Sequence, residues 1–385
     1  MLQAEIGSAI KALEMWSNEV FQELVSTNSF SENFPGVLAA QKILERELSA
    51  AGLVCEYLPS TDSAKHLVAR NNSAQSSAKR IVLSCHVDTV YPPESWSGGL
   101  EVIDRDWLLG PGAADMKGGA IVILLALRAI SSLKLIDKVP IMVISNACEE
   151  RPCSGFTNLV NQLRDQIKFA LVFEAARKNH GVVIARKGRA WGNLTIEGIE
   201  THAGNDPQGG ISAILEASRI ILALDQLNDY ANGLTCNVGL IQGGTVANTI
   251  PGFCSFEFEL RANTQRDLKF LINSITKFDG RRDSGAIVKV NVKSEGMPLE
   301  ENQLSLVIFN SLKSVGKNWQ LNLELSPRVG GLSDANYFAS AGISSVDGLG
   351  PYGENFHVIG KERVLVKEIA QRAGLVAEWL ITQQA

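Results

Sequence analysis

The sequence predicts an α/β protein: a three-layer α/β/α catalytic domain carrying an inserted, ferredoxin-like α+β domain. Apolar runs of strand length alternate with segments of helical periodicity toward both ends of the chain, as in a layered α/β domain. Between about 188 and 297 that alternation gives way to strand, helix, two strands, helix, strand, the order of a split βαβ unit. The 385 residues also exceed one ordinary core, so about two domains are expected.

In chain order, the opening segment to about Val25 repeats apolar residues at helical spacing, and Pro35–Ala51 does so again until Gly52 stops it. Val54–Leu58, Ile81–Cys85, Val139–Ser145 and Phe169–Phe173 read as strands, several of them continuous apolar runs of the kind buried on both faces. Asn71–Ala78 reads as a polar loop, and Gly118–Ile130, Ser154–Arg164 and Lys361–Thr382 as helices. In the inserted domain, Trp191–Glu197, Thr235–Ile241, Phe253–Arg261 and Val288–Val292 are the strands; Pro207–Leu224 and Arg266–Thr276 are the helices. Joints at Lys187-Gly188 and Gly296-Met297-Pro298 make the catalytic domain discontinuous, 1–187 and 298–385, around an insert at 188–297.

Thirty-six Lys and Arg against 41 Asp and Glu give a net charge of -5, with no run of like charge, which argues against nucleic acid or an acidic membrane as partner. No stretch is apolar for long enough to cross a bilayer, and the N-terminus lacks the basic-then-apolar pattern of a secretory signal, so a soluble cytoplasmic protein is expected. The cysteines at 55, 85, 148, 153, 236 and 254 show no Cys-x-x-Cys spacing and fall mostly in apolar segments. Buried reduced thiols are the expectation, with thiolate ligation by Cys148 and Cys153 the minor alternative.

Three short clusters lie where a predicted strand gives way to a loop, the crevice in which open α/β sheets carry their sites. His86 and Asp88 alternate along one strand end and can point the same way, so that Asp88 can accept the second ring N–H of a ligating His86. In isolation the pair is weak evidence. Asp115, within Gly110-Pro-Gly-Ala-Ala-Asp115-Met-Lys-Gly-Gly119, reads either as a carboxylate bridging two cations or as a helix N-cap. Glu149 and Glu150 follow an apolar strand; one can hold metal while its neighbour takes a proton from water, although a solvated pair is the plain alternative. Glu174 ends a strand in the same way, and His357 lies in a loop before the final helix. Oxygen and imidazole donors of this kind suit two divalent cations, zinc first, cobalt or manganese next. His66 and His180 read as structural.

Taken in order, His86-Val-Asp88-Thr-Val, the Asp115 segment, Glu149-Glu150, Glu174 and His357 resemble the M20 family of dizinc peptidases and deacylases, and within it the carboxypeptidase G2-type glutamate carboxypeptidases. The resemblance implies one ion held by His86, Asp115 and Glu174 and another by Asp115, Glu150 and His357, with Glu149 as general base, Asp88 orienting His86, and a cis peptide bond after Asp115. In the insert, Thr201-His202-Ala-Gly, Gly243-Gly-Thr-Val-Ala-Asn248 and Glu259-Leu-Arg261 carry further likeness. It implies an oxyanion donor in His202, reaching from a partner subunit, a carboxylate grip in Arg261, and a substrate role for Asn248. Arg328-Val-Gly-Gly331-Leu-Ser333 resembles a glycine-rich loop whose amides and hydroxyl meet the substrate's carboxylate end, while a helix start capped by Ser333 accounts for the same residues.

Two segments depart from the family pattern. Arg151-Pro-Cys-Ser-Gly155 follows the Glu pair and Ala175-Ala-Arg177 follows Glu174, adding positive charge that suits an anionic substrate or pairs with a neighbouring Glu. The expectation is a metal-dependent exopeptidase that releases a C-terminal amino acid such as glutamate by attack of activated water. It acts on a small-molecule substrate and dimerises through the insert. The alternatives are an N-acyl-amino-acid deacylase and, from another class, a non-catalytic binding protein that keeps the fold.

Overall fold

The computed structural model describes residues 2–60, 64–72, 79–96 and 98–383, so most of the polar loop expected at 71–78 lies outside the described residues. The chain divides into two compact units: one runs up to Ala185 and continues over Glu301–Val329 and from Ser333 onward, the other comprises Arg186–Glu300 with Gly330–Leu332.

The first unit is built on a six-stranded sheet in the order Leu53–Leu58, His66–Asn71, Ile141–Asn146, Arg80–His86, Ile167–Val172, Ser345–Val346. The last four run parallel and the first two are antiparallel additions. Alternation along Arg80–His86 splits the core into two layers. Ile81, Leu83 and Cys85 join the cluster around the helix Gly118–Ser132, whereas Ser84, pointing the other way, donates its hydroxyl to Asp334 on the helix Asp334–Ser340. That second layer packs Phe156 of the helix Ser154–Leu163 edge-on against Tyr337 and Phe338. Gly118–Ser132 is apolar nearly all round and buried nearly all round, as a central helix must be. It begins on Gly119 because a Cβ there would collide with the Phe173 carbonyl, so the helix start sits directly on a strand end. A smaller five-stranded sheet joins Glu101–Val102, Trp107–Leu109, Arg363–Leu365, Gly350–Glu354 and Ala175–Ala176.

Several elements differ from expectation. The opening helix is two, Leu2–Ala12 and Glu14–Ser26, and the sequence carries no breaker at their junction at Leu13. His66–Asn71 is a buried strand whose polar ends hide it from a hydropathy reading. The final helix starts at Val366, not Lys361, because Arg363–Leu365 is taken into the small sheet against Trp107–Leu109. Among the described residues no helix is long and apolar enough to cross a membrane.

The second unit is an antiparallel sheet in the order Thr235–Gly243, Phe253–Ala262, Gly188–Glu197, Ile287–Gly296, Gly280–Arg281, with the helices Ala213–Asp225 and Gln265–Thr276 in the βαββαβ order. Ala190, Leu194 and Ile196 bury one face of the central strand under Ala217, Ile220, Leu268 and Leu271 of those helices. The first helix begins at Ala213, where the Ser212 side chain accepts the Leu215 N–H, so Pro207–Ile211 is loop.

Candidate metal centre

Every acidic or imidazole residue singled out as a ligand or base falls in the first unit, and four of them, His86, Glu149, Glu150 and Glu174, lie at or just past the ends of parallel strands. His86 ends one strand; Glu149 and Glu150 follow the next, and Glu174 follows the third. Asp115 lies in the tight turn before the central helix, its bond to Met116 is cis, and Gly112 supplies the left-handed φ of +70° that the turn requires. His357 is in the loop between Gly350–Glu354 and Arg363–Leu365.

These loops bring the donors together. Asp115 Oδ1 lies 3.2 Å from His86 Nε2 and its Oδ2 lies 3.3 Å from His357 Nε2, so the carboxylate faces an imidazole on each side. On the first side, Glu174 Oε1 is 3.6 Å and Glu149 Oε2 4.0 Å from His86 Nε2; on the second, Glu150 Oε2 is 3.2 Å from His357 Nε2. The N-cap alternative for Asp115 is not realised, because Lys117 occupies the cap position of the helix and no side chain caps it.

Burial alone would raise the Asp115 carboxyl, yet hydrogen bonds from His357 and His86 hold it well below the carboxylate range. Burial, together with the charges of Glu174 and its neighbour Glu150, pushes Glu149 well above its ordinary value. Burial and the Asp115 charge push Glu150 up to about 7, while hydrogen bonds to Asp115 and Glu150 raise His357 to about 11. Glu150 Oε1 is buried without a hydrogen-bond partner. A buried carboxylate oxygen without a hydrogen-bond partner, among clustered acids facing two imidazoles, suits a donor set that completes itself with a divalent ion. The residues therefore fit a metal, and histidine with carboxylates suits zinc, cobalt or manganese.

Around these donors lies a supporting layer. His86 Nδ1 donates to the backbone carbonyl of Asp88 at 3.0 Å, and the Asp88 carboxylate is the more distant group, 3.5 Å away. This corrects the expected pairing: the ring is oriented by the Asp88 main chain. The Asp88 carboxylate serves the acids, accepting the N–H of Glu149 at 3.0 Å, the N–H of Glu150 at 3.1 Å and the Ser31 hydroxyl at 2.7 Å. Glu362 does the same for the bridging position, accepting the N–H groups of Ala114 and Asp115 on one oxygen and the Tyr91 hydroxyl on the other. Ser31, Tyr91 and Glu362 were not found from sequence. Only the position of Glu362 just beyond His357 offered any hint.

The substrate-side residues fare differently. Ser333 is wholly buried, gives its proton to Asp347 Oδ2 at 2.7 Å and caps the helix through the Ala335 N–H, so its hydroxyl has nothing left for a ligand; that expectation is corrected to a cap. In the second unit, His202 is exposed and its Nδ1 accepts the N–H groups of Gly204 and Asn205, which leaves the proton on Nε2. Arg261 is gripped by Glu259 and by the Gly330 carbonyl, and Asn248 is exposed with its carbonyl bonded to Ala203. Gly331 is exposed, with open space where a Cβ would stand, and its carbonyl accepts from Arg186. Arg151 and Arg177 lie over the rings of Phe34 and Phe356, at 5.4 and 5.9 Å. The expectation of reduced thiols fails at Cys148 and Cys153, which form a disulfide; Cys55, Cys85, Cys236 and Cys254 are free. Of the histidines read as structural, His180 pairs with Glu368 and His66 accepts the Ala147 N–H.

Comparison with known proteins adds to this geometry. The model of the M20 peptidase dimerisation domain matches residues 184–279, and that of peptidase family M28 matches 66–220. Carboxypeptidase G2 of Pseudomonas sp. (strain RS-16) is 26% identical over 368 residues, covering 94% of this chain and 88% of that protein. Acetylornithine deacetylase of Myxococcus xanthus is 34% identical over 257 residues, 62% of this chain and 65% of that protein. The aminopeptidase PepT of Bacillus cereus superposes with a TM-score of 0.78 over 95% of this chain and 97% of that one; at 23% identity the likeness is one of fold.

Proposed function

We propose that this chain is a metal-dependent hydrolase of the M20 family of metallopeptidases and deacylases, to which its matches point, and within it an exopeptidase that releases a C-terminal amino acid, such as glutamate, by attack of water on an amide. The observation that carries the reading is the placement of Asp115 between two imidazoles, with Glu149 and Glu174 beside the first and Glu150 beside the second; of these acids we assign Glu149 as the base. Two ions, zinc foremost, would be held by His86, Asp115 and Glu174 and by Asp115, Glu150 and His357. When bound they activate water and polarise the scissile carbonyl.

The chain's own residues do the rest. Glu149, held above its ordinary value by burial and by the charges of Glu174 and Glu150, accepts the proton of the attacking water and returns it to the leaving amine. His202 offers an Nε2–H to the developing oxyanion, its tautomer fixed by the two backbone N–H groups on Nδ1. Arg261 holds the substrate carboxylate, with the Gly331 backbone near it through the Gly330 carbonyl, and Asn248 contributes a further hydrogen bond to substrate. The extensive match to carboxypeptidase G2 favours the peptidase reading, while the more identical but shorter match to acetylornithine deacetylase supports N-acyl-amino-acid deacylation as the second reading. Dimerisation through the insert is supported by Leu215 and Leu222 on one helix and Leu240 and Ile241 on the edge strand, all large, apolar and exposed.

The test is a screen of dipeptides and N-acyl amino acids, scored by released amine, on protein as purified, after chelation, and after return of Zn, Mn or Co. Full turnover in metal-stripped protein would refute the reading, and so would wild-type turnover by Glu149→Gln.

A further inference from the structure

We propose that Cys148–Cys153 is a reversible thiol–disulfide site that fixes the loop carrying Glu149 and Glu150, and that the oxidised form is the one that retains metal; this rests on the assignment of Glu150 as a ligand above. The bond joins residues five apart in sequence with their Cα atoms 5.9 Å apart. It thereby closes a covalent ring around Glu149, Glu150, Arg151 and Pro152, which holds both the base and a ligand.

Each end of the ring is anchored. Cys148 follows the strand Ile141–Asn146 and donates its N–H to Asn146 Oδ1 at 3.0 Å, while Cys153 immediately precedes the helix Ser154–Leu163. Reduction frees only the span between those anchors, which is still held by the Asp88 carboxylate through the N–H groups of Glu149 and Glu150 and by Arg151 through its contact with Phe34. A ring this short removes little entropy from the unfolded chain, so its opening alters the loop and not the fold.

The environment favours thiol chemistry over a further metal site. His66, Cys148 and Cys153 place their heteroatoms within 4.8 Å of one another. His66 Nδ1 already accepts the Ala147 N–H, however, so its other nitrogen carries the proton and presents a donor, not a lone pair. Both sulfurs are buried, but Cys153 lies between exposed Pro152 and Ser154, which makes it the side from which a reductant enters. A dithiol attacks Cys153 Sγ, the Cys148 sulfur leaves as thiolate and takes a proton, and the second thiol of the reductant displaces Cys153. Two electrons and two protons pass to the protein and the reductant closes into a cyclic disulfide.

The test compares metal-loaded protein purified without reductant with the same protein treated with a trialkylphosphine, which takes oxygen from water to become the oxide as the disulfide becomes two thiols. Alkylation and peptide mapping count the thiols, and a chromogenic chelator reads metal release. The reduced protein is expected to release one ion roughly ten-fold faster or more. Cys153→Ser should match the reduced rate and ignore the phosphine. Equal release from oxidised, reduced and Cys153→Ser protein overturns the proposal, as does mapping that finds both thiols free and unable to pair under mild oxidant. Should Cys153→Ser fail to fold, the wild-type pair of measurements decides alone. Metal release needs no substrate, so a protein that hydrolyses none of the screened amides would defeat the proposed function and leave the disulfide's effect on metal retention intact.

Discussion

His86 in the first unit and His202 in the second are both fixed through Nδ1 by backbone groups, and the two fixings are opposite. A carbonyl can only accept, so His86 Nδ1 carries a proton, and Nε2, 3.2 Å from Asp115 Oδ1, is the nitrogen that would ligate an ion. Backbone N–H groups can only donate, so His202 Nδ1 is the acceptor and its proton lies on Nε2. One ring is prepared as a ligand and the other as a donor. Burial follows the same division: His86 is enclosed among carboxylates, His202 is open to solvent. The first unit holds charge in place for an ion, and the second presents hydrogen bonds to whatever reaches it.

The sharpest way to break this division is at the proton-transfer group. Glu149→Gln keeps the backbone N–H that Asp88 holds and the side-chain volume, and loses only the basic oxygen. Turnover is expected to fall by roughly 10²–10⁴ with bound metal unchanged, measured by released amine and by elemental analysis of the same sample. Metal lost in step with activity would make Glu149 a ligand and not a base. His202→Gln comes next. A donor removed from developing charge is expected to lower kcat by about 10²–10³, with metal content and thermal stability unmoved because the side chain is exposed. A fall in metal content there would erase the contrast between the two units.

How much of this was legible in the sequence divides along a similar line. The strands and the ligands were readable because a continuous apolar run marks a buried strand, and acids placed directly after one, as Glu149-Glu150 are after Ile141–Asn146, mark the site at its end. The supporting layer was not readable. Ser31 is far from the motifs, Tyr91 and Glu362 lie beside them but carry no mark of their own, and only the folded backbone brings Glu362 to the amides of Ala114 and Asp115. Asp88 was found but given the wrong partner, because alternation along a strand says which way a side chain points and not whether a main-chain carbonyl lies closer. Ser333 misled for a related reason, since the same hydroxyl that can meet a ligand can cap a helix, and burial decided for the cap.

Asp88 offers the next, smaller effect. Asp88→Asn keeps the shape but weakens the acceptor of two backbone N–H groups, and metal affinity is expected to drop roughly 10–100-fold with turnover falling in step, read by titration with a competing chelator. Although burial opposes it, His86 at 3.5 Å and hydrogen bonds from Ser31 and the Glu149 N–H depress the Asp88 carboxyl in the fold. Its contribution to stability is thus present above the unfolded carboxylate value of about 3.9 and is lost as pH falls through the lower folded value. In metal-free protein the stability gap between wild type and Asp88→Asn should be widest near neutral pH and close in strong acid. A gap that widens on acidification would mean that Asp88 is not a charged anchor.

Arg261 tests the second unit at its gentlest. Its Nε and Nη2 are held by the two oxygens of Glu259 at 2.7 and 3.2 Å, and Nη1 by the Gly330 carbonyl at 2.6 Å. One proton remains on each terminal nitrogen, which is a fork's worth of donors for a carboxylate and no more. Lysine keeps the charge but not the fork, so Arg261→Lys should raise KM roughly ten-fold, with kcat nearly constant and metal content unchanged. An amide substrate whose terminal carboxylate has been converted to a carboxamide should lose that difference between wild type and variant. If the carboxamide shows the same ten-fold penalty, the guanidinium is bracing the strand through Glu259, and the hydrogen bonds offered to the substrate end come from elsewhere in the unit.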